Sequence, residues 1–248
     1  MPHSLRTPAA ARRAAATYAR DGFYLAPNLF RADEMARYKR LARELVEQAA
    51  GEAGVKVWFY PDLPPAFLDL ALDPRLVAIL RALIGPDLEF LSAKPVFKSG
   101  AITFASPWHQ DWAYWGGAAK VSIWLALDDA TEANGCLKVI PGSHRRYVPH
   151  AHPVTNKFGN QLGDQTLAEA SMLSVPMAAG GALFFHDLLL HASHENTARR
   201  DRWSFIPTYR NAAVPDSATT WTRSRLICGR SVNPTALPPA PTGAAKRG

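Results

Sequence analysis

Apolar residues recur with a helical spacing in the first third of the chain and with the spacing of short strands after it. In the helical part, Leu41, Leu45 and Val46 share one face of the second predicted helix, and a short strand at Gly22–Ala26 precedes it. Gly51 and Gly54 follow the end of that helix. The predicted helices span Thr7–Arg20, Asp33–Ala50, a short segment from Pro64, and Asp73–Ile84.

From Leu88 onward, short runs rich in apolar and aromatic residues are separated by Gly, Pro, Asn and Asp. Helices followed by a run of about eight strands predict an α+β chain that is mainly β, with a closed or double-sheet core such as a jelly roll. The predicted strands are Leu88–Val96, Ala101–Trp108, Ala119–Asp128, Cys136–Ile140, Ser171–Val175, Ala182–Phe185, His191–Glu195 and Arg202–Tyr209.

The length of 248 residues is typical of one large β-rich domain. We predict one domain over residues 1–233, with a helical part (1–86) and a β core (87–233). Val148–Glu169 is a long polar insert that we interpret as a lid beside the active site. Pro234–Gly248 is rich in Pro, Ala and Gly and predicts a disordered tail.

Charge and cysteine content narrow the class of partner. The net charge is +7, but the basic residues are scattered and form no stripe with interleaved aromatics, which argues against nucleic acid. No apolar run is long enough for a membrane span, and Met1–Arg20 does not read as a secretory signal. Two cysteines make no disulfide framework, so we predict a cytoplasmic protein. We also predict a small-molecule substrate and a monomer or a homodimer.

The most informative stretch carries His109 and Asp111 two residues apart. In an extended strand, side chains at i and i+2 point to the same face, where an imidazole and a carboxylate can hold one divalent metal. A third ligand is available from Gly180–His191, which offers both His186 and His191. Two His and one carboxylate form the facial triad of non-haem iron oxygenases. Four aromatics around the motif suit either a ligand pocket or core packing: Trp108, Trp112, Tyr114 and Trp115.

Several motifs in this order resemble the phytanoyl-CoA dioxygenase family over roughly Asp21–Asn211. They are His109-Gln110-Asp111, Asn134-Gly135-Cys136-Leu137, Pro141-Gly142-Ser143-His144, and the distal run His191-Ala192-Ser193, Asn196 and Arg202. The resemblance implies a double-stranded β-helix, a cupin-like jelly roll with the N-terminal helices packed outside. It also implies Fe(II), 2-oxoglutarate as co-substrate, and O₂.

The resemblance also implies roles for individual residues. His109, Asp111 and His191 would be the iron ligands, with His186 as the alternative third ligand. Arg202 would clamp the distal carboxylate of 2-oxoglutarate with a bidentate contact, and Arg200 is the alternative clamp. Further co-substrate contacts would come from Ser193 and Trp124, and the substrate pocket from Lys94, Trp112, Tyr114 and Trp115.

We therefore predict a dioxygenase that hydroxylates an unactivated C–H bond of a small molecule, releasing succinate and CO₂. Relatives in this family that halogenate have Gly or Ala in place of the carboxylate, so Asp111 favours hydroxylation. Two alternatives stay open at this stage. One is a metal-holding β-barrel that binds a small ligand without turnover, and the other is a nucleic-acid demethylase.

Overall fold

The computed structural model describes residues 7–48, 57–98, 100, 105–151, 162 and 171–237. Its helices are α1 (Pro8–Asp21), α2 (Ala32–Gln48), α3 (Pro65–Ala71), α4 (Pro74–Ile84) and the single turn α5 (Trp112–Trp115). None of these helices has both the length and the apolar character needed to cross a bilayer. The strands are β1 (Phe23–Ala26), β2 (Trp58–Phe59), β3 (Leu88–Lys98), β4 (Lys120–Ala126), β5 (Leu137–Val139), β6 (Leu173–Val175), β7 (Ala182–His186), β8 (His191–Ser193), β9 (Arg202–Asn211), β10 (Ser224–Cys228) and β11 (Ala236–Leu237).

The N-termini of α1 and α4 are capped by side chains. Thr7 Oγ1 accepts a hydrogen bond from the Ala10 amide at 3.2 Å, and Asp73 Oδ1 accepts one from the Arg75 amide at 2.8 Å. A proline follows each cap, where its missing N–H costs nothing. α1 ends at Gly22, whose φ of 83° is left-handed and therefore suits glycine.

The described strands form two sheets. The larger sheet has the order β1-β7-β4-β9-β3-β10-β11, with β2 beside β3, and the smaller has the order β6-β5-β8. The longest pairing is the antiparallel ladder of β3 and β9, which runs from Leu88 opposite Asn211 to Lys98 opposite Arg202. The prediction of a mixed chain that is mainly β is confirmed.

Both faces of the larger sheet are buried, and β4 shows how. Ile123 and Leu125 join a hydrophobic cluster with residues of α1, α2, α3 and α4. Trp124 and Ala126 point the other way and join a second cluster with residues of the smaller sheet, such as Val139. We call this second group, which lies between the two sheets, the inter-sheet cluster.

Two sequence predictions of local structure need correction, and a third lies mostly outside the described residues. Of the predicted strand Ala101–Trp108, residues 101–104 lie outside the described part, and 105–108 form no regular strand. Pro107 explains this, because it lacks the N–H that a sheet ladder needs. Ala236–Leu237, predicted as tail, instead pairs in parallel with β10, while residues 238–248 lie outside the described part. Of the insert Val148–Glu169, the structure describes only 148–151 and 162.

The residues before β11 are held by a buried charge network centred on Arg210. Its guanidinium donates to Glu89 at 2.8 Å, to Asp216 at 2.8 Å and to the Thr235 hydroxyl at 2.7 Å. Asp216 also accepts from the ammonium of Lys120 at 3.0 Å. Burial would raise the pKa of Asp216, but the hydrogen bond from Lys120 and further donors hold it below its usual value. Two buried cations are thus matched by two buried carboxylates.

We expect Asp216→Ala to destabilise the fold strongly, because the Lys120 and Arg210 cations would lose a shared partner. Removing one member of a buried ion pair typically costs about 3–5 kcal/mol, which urea unfolding would measure at neutral pH. The contribution should fade as the pH falls and Asp216 becomes protonated, since its pKa is lowered in the folded chain. Asp33→Ala, which removes an exposed ion pair with Arg31, is the control and should change little. Similar results for both variants would contradict this view of the network.

Candidate active site

His109 and His191 are joined by their backbones before any metal is considered. The His109 amide donates to the His191 carbonyl at 3.0 Å, and the His191 amide donates back to the His109 carbonyl at 3.1 Å. This is an isolated antiparallel bridge, through which the segment before α5 attaches to β8. The two imidazole rings consequently lie side by side, with centroids 4.2 Å apart.

Asp111 reaches the same place by a route that the sequence pattern did not predict. An extended strand was expected, but Asp111 has right-handed helical backbone angles (φ −58°, ψ −30°) and leads into α5. The carboxylate nevertheless faces the imidazoles, with Oδ1 3.6 Å from Nε2 of His109 and 3.9 Å from Nε2 of His191. The expected i, i+2 geometry is therefore wrong, while the expected grouping of the three side chains is found.

The hydrogen bonds of the two histidines leave the right nitrogen for a metal. Nδ1 of His109 donates to the Pro107 carbonyl at 2.8 Å, and Nδ1 of His191 donates to the Leu189 carbonyl at 2.9 Å. In the neutral tautomer of each ring, these bonds leave Nε2 as the atom with a free lone pair, and it faces Asp111. Together the three side chains place one ligand atom each within 4.8 Å of one another, and all three are buried. This donor set fits a divalent cation.

The electrostatics of this group also suit a cation. Burial, and then the neighbouring His109, lower the pKa of His191 to about 3, so the ring is neutral at physiological pH. Burial would raise the pKa of Asp111, but Lys94 and the two histidines outweigh it and hold this pKa below its ordinary value. A neutral imidazole and an ionised carboxylate are the forms that bind metals.

His186, the alternative third ligand, lies elsewhere. Its Nδ1 accepts from the Leu188 amide at 3.0 Å, and its ring lies near those of Tyr18 and His144, with centroid distances of 6.3 and 5.4 Å. It is not part of the group of metal-binding atoms found among the described residues. The geometry therefore favours His191.

Arg202 is a buried cation at the inner end of the site. It is only 1% exposed, and burial lowers its pKa to about 10. Its Nη1 donates to Ser204 Oγ and its Nη2 to the Gly135 carbonyl, both at 2.9 Å, while Nε has no partner. Among the described residues no carboxylate forms an ion pair with it. Arg202 can therefore bind an anion from outside the chain. Arg200, the alternative clamp, is exposed.

A small inner pocket of about 80 Å³ connects Arg202 to the metal-binding group. Ser193 lies in it and accepts from the Ser106 amide at 2.9 Å. Trp124 forms another wall, and the Arg202 guanidinium lies 4.9 Å from the centre of its ring. The predicted co-substrate residues are thus brought together with His109, Asp111 and His191.

An outer cavity of about 410 Å³ opens from the same group and shares Lys94 with the inner pocket. Of the predicted pocket aromatics, Tyr114 and Trp115 line it. Trp112 does not line it, and its ring instead lies 4.9 Å from that of Tyr147. Trp115 is held by a 3.0 Å hydrogen bond from its indole nitrogen to Asp187. The remaining lining residues include Val57, Phe59, Ser92, Thr208, Thr220 and Trp221.

Sequence reasoning missed residues that support the site. Trp221 lines the outer cavity beside Trp115, with ring centroids 5.2 Å apart, but it is distant in sequence and belongs to no motif. Gln110 lies inside the His109–Asp111 motif and is fully buried, which the sequence alone does not show. Its side chain donates to the Leu188 carbonyl at 2.6 Å and accepts from the Val148 amide at 2.8 Å. It therefore ties the start of the insert to the metal-binding turn.

The chain is similar to several known proteins. A family model described as phytanoyl-CoA dioxygenase (PhyH) matches residues 18–204, which include His109, Asp111, His191 and Arg202. An ectoine dioxygenase of Bordetella parapertussis is 26% identical over 224 residues, covering 78% of this chain and 73% of that protein. An L-proline trans-4-hydroxylase of Streptomyces griseoviridis is 29% identical, covering 55% of this chain and 59% of its own. The solved structure of the epimerase SnoN with Fe³⁺, alpha ketoglutarate and nogalamycin RO has a TM-score of 0.70 and 26% identity, covering 83% and 85% of the two chains.

The metal-binding group can be tested by substitution. We expect Asp111→Ala and His191→Ala each to lose most bound Fe(II), because each removes one of three converging donors. His186→Ala is the matched control and should keep the metal, because its ring lies outside the group. The metal content of proteins reconstituted without oxygen would measure this, with circular dichroism as the check on folding. A site emptied by His186→Ala but not by His191→Ala would reverse the assignment.

Proposed function

The chain belongs to the phytanoyl-CoA dioxygenase family, and on that premise we propose that it is a non-haem Fe(II)- and 2-oxoglutarate-dependent dioxygenase that hydroxylates a small organic molecule. The observation that carries this proposal is the meeting of a buried His-Asp-His group with a buried arginine in one pocket. When bound, iron and 2-oxoglutarate supply the oxidising chemistry that consumes O₂ and releases succinate and CO₂.

We assign the iron to His109, Asp111 and His191, which would hold it. Three protein ligands would leave coordination positions for the co-substrate and O₂. The hydrogen bonds to Pro107 and Leu189 fix both rings, so the chain offers a rigid set of donors. Ser122 Oγ lies 3.4 Å from the second carboxylate oxygen of Asp111 and restrains it as well.

We assign the distal carboxylate of 2-oxoglutarate to Arg202. Its unpartnered Nε is a donor that a carboxylate can satisfy, and the planar guanidinium suits a two-point contact. Ser193 and Trp124 complete the walls around that carboxylate. Lys94 lines both the inner pocket and the outer cavity, so it can contact either the co-substrate or an acidic group of the substrate.

The outer cavity suggests the kind of substrate. Its walls are mostly apolar and aromatic, and its polar groups are three hydroxyl residues (Ser92, Thr208 and Thr220), Lys94 and the metal-binding pair His109 and Asp111. Such a cavity suits a compact, largely apolar molecule with one or a few polar groups. Leu162 is buried, and its amide donates to the Trp108 carbonyl at 3.0 Å, directly before His109.

We further propose a double-stranded β-helix with the N-terminal helices on its outer face. The clustering of helix residues with one face of the larger sheet supports this arrangement. The proposed single oxygenase domain extends through Leu237, because β11 pairs with β10. A cytoplasmic location is consistent with its free cysteines, Cys136 and Cys228. We propose a monomer or a homodimer without nucleic-acid partners.

The co-substrate assignment predicts a large difference between two neighbouring arginines. Truncating one partner of a buried ion pair costs roughly 3–5 kcal/mol, so Arg202→Ala should raise the KM for 2-oxoglutarate at least about a hundredfold. Arg200→Ala should have little effect, because Arg200 is exposed outside the pocket. Succinate formation at varied 2-oxoglutarate is the measurement. Small and equal effects on this KM would show that the distal carboxylate is held elsewhere, and Lys94 would be the next residue to test.

The reaction outcome gives a second test. Asp111 occupies the coordination position that halide would need, so the product should be hydroxylated even in excess chloride. We suggest testing uncharged ring compounds alongside ectoine and proline as candidate substrates, with succinate release as the signal of coupled turnover. In ¹⁸O₂, the product of an active compound should gain one labelled oxygen. A chlorinated product, turnover that survives iron chelation, or no co-substrate-dependent O₂ uptake with any compound would contradict the proposal.

A further inference from the structure

A second buried lysine lies directly opposite the proposed co-substrate arginine. Lys98 ends β3 and Arg202 begins β9, and the two residues are partners in the antiparallel register. Each is only 1% exposed. Directly opposite residues of an antiparallel pair have neighbouring side chains on the same face, and like charges at such positions repel. The larger sheet therefore holds two cations together at the inner end of the site.

Lys98 is linked to Arg202 through the Asn134-Gly135-Cys136 turn. Its ammonium donates to the His194 carbonyl at 2.7 Å, and its methylenes lie against Gly135. A Cβ at Gly135 would come within 2.6 Å of Lys98 Cδ, so the glycine makes room for the lysine. The carbonyl of the same glycine accepts from Nη2 of Arg202 at 2.9 Å. A shift of Lys98 would therefore shift Gly135, and with it the carbonyl that holds Arg202.

The arrangement is electrostatically costly in the protein without an anion. Burial, and then the charge of Arg202, lower the pKa of Lys98 to about 7. Glu195 and Cys136 act in the opposite direction but do not offset this. His194, whose carbonyl accepts from Lys98, also has a lowered pKa because it is partly buried. An arriving carboxylate would favour the charged form of both cations.

We propose that Lys98 is a positioning residue of the co-substrate site, which sets the Gly135 carbonyl against Arg202 and adds its charge to the attraction for the distal carboxylate. Lys98 does not line the inner pocket, so it acts without touching 2-oxoglutarate. The inference rests on the proposed function, because it takes the distal carboxylate of 2-oxoglutarate to be the anion at Arg202.

The test compares two probes on the full-length protein loaded with Co(II) under anaerobic conditions. Pyruvate has the same 2-oxo acid group as 2-oxoglutarate but no distal carboxylate. For Lys98→Met, calorimetry should show 2-oxoglutarate binding at least about tenfold more weakly, with pyruvate binding unchanged. Unchanged pyruvate binding also shows that the variant is folded. Lys138→Met is the matched control, because that lysine lies on β5 beside Trp108 and should affect neither probe.

A pH series on the unmodified protein gives a readout that needs no variant. Because the pKa of Lys98 is about 7 before the anion binds, the lysine is charged below that pH and loses its proton above it. The Kd for 2-oxoglutarate should therefore rise above pH 7 and then level off near the Lys98→Met value. Lys98→Met should lack this rise, and pyruvate should not show it in either protein.

The outcomes separate this inference from the proposed function. Arg202-dependent binding of 2-oxoglutarate that is unaffected by Lys98→Met would overturn the role of Lys98 and leave the function intact. Equal weakening of both probes would also overturn it, since that result indicates a general structural role. Failure of the metal-loaded wild-type protein to bind 2-oxoglutarate would overturn both.

Discussion

The site depends on one pair of backbone hydrogen bonds, between His109 and His191. These bonds join a segment with no regular secondary structure to β8, so they fix the distance between two proposed iron ligands before iron arrives. The further hydrogen bond from the Trp112 amide to the Asp187 carbonyl holds the start of α5 against the same loop. Because Asp111 lies between these two attachments, its carboxylate has little freedom to leave the imidazoles. Preorganisation of this kind reduces the entropy that metal binding must overcome.

The chain treats its buried cations in two different ways. Lys120 and Arg210 are matched by Asp216 and Glu89, so that part of the sheet is electrostatically complete. Arg202 has only neutral acceptors among the described residues, namely Ser204 and the Gly135 carbonyl. A group that is costly to bury and left without a counter-ion marks a place where binding energy is available to a ligand. The contrast separates a structural charge cluster from a functional one within the same sheet.

Sequence reasoning found the side chains of the site better than their backbone. The pairing of His109 with Asp111 is local, so it could be read directly, whereas the role of Arg202 came from the resemblance to the family. The helical conformation of Asp111 could not be read, because it follows from tertiary contacts of α5 rather than from propensity. The sequence left both His186 and His191 available for the same reason, because the backbone pairing with His109 that favours His191 is a tertiary contact.

The larger elements show the same division. The change from helical to strand periodicity near Leu88 could be seen in the sequence, since burial of an element gives its apolar residues a characteristic spacing. β10 and β11 were missed because β10 is mostly half-buried, with Ser224 as its one fully buried residue, and β11 is only two residues long, which leaves little apolar pattern. Trp221 was missed because its place in the cavity wall depends on packing beside Trp115, which is distant in the sequence.

The inner pocket and the outer cavity differ in how freely they can change. Trp124, Leu137 and Phe185 line the inner pocket and also belong to the inter-sheet cluster. A wall that is part of a close-packed core cannot be reshaped without disturbing its neighbours. Phe59 and Trp221 line the outer cavity and belong to no part of that cluster, and Phe59 is substantially exposed. Packing therefore constrains the inner pocket more tightly, and we expect substrate specificity to arise from the outer cavity, where Phe59 is exposed.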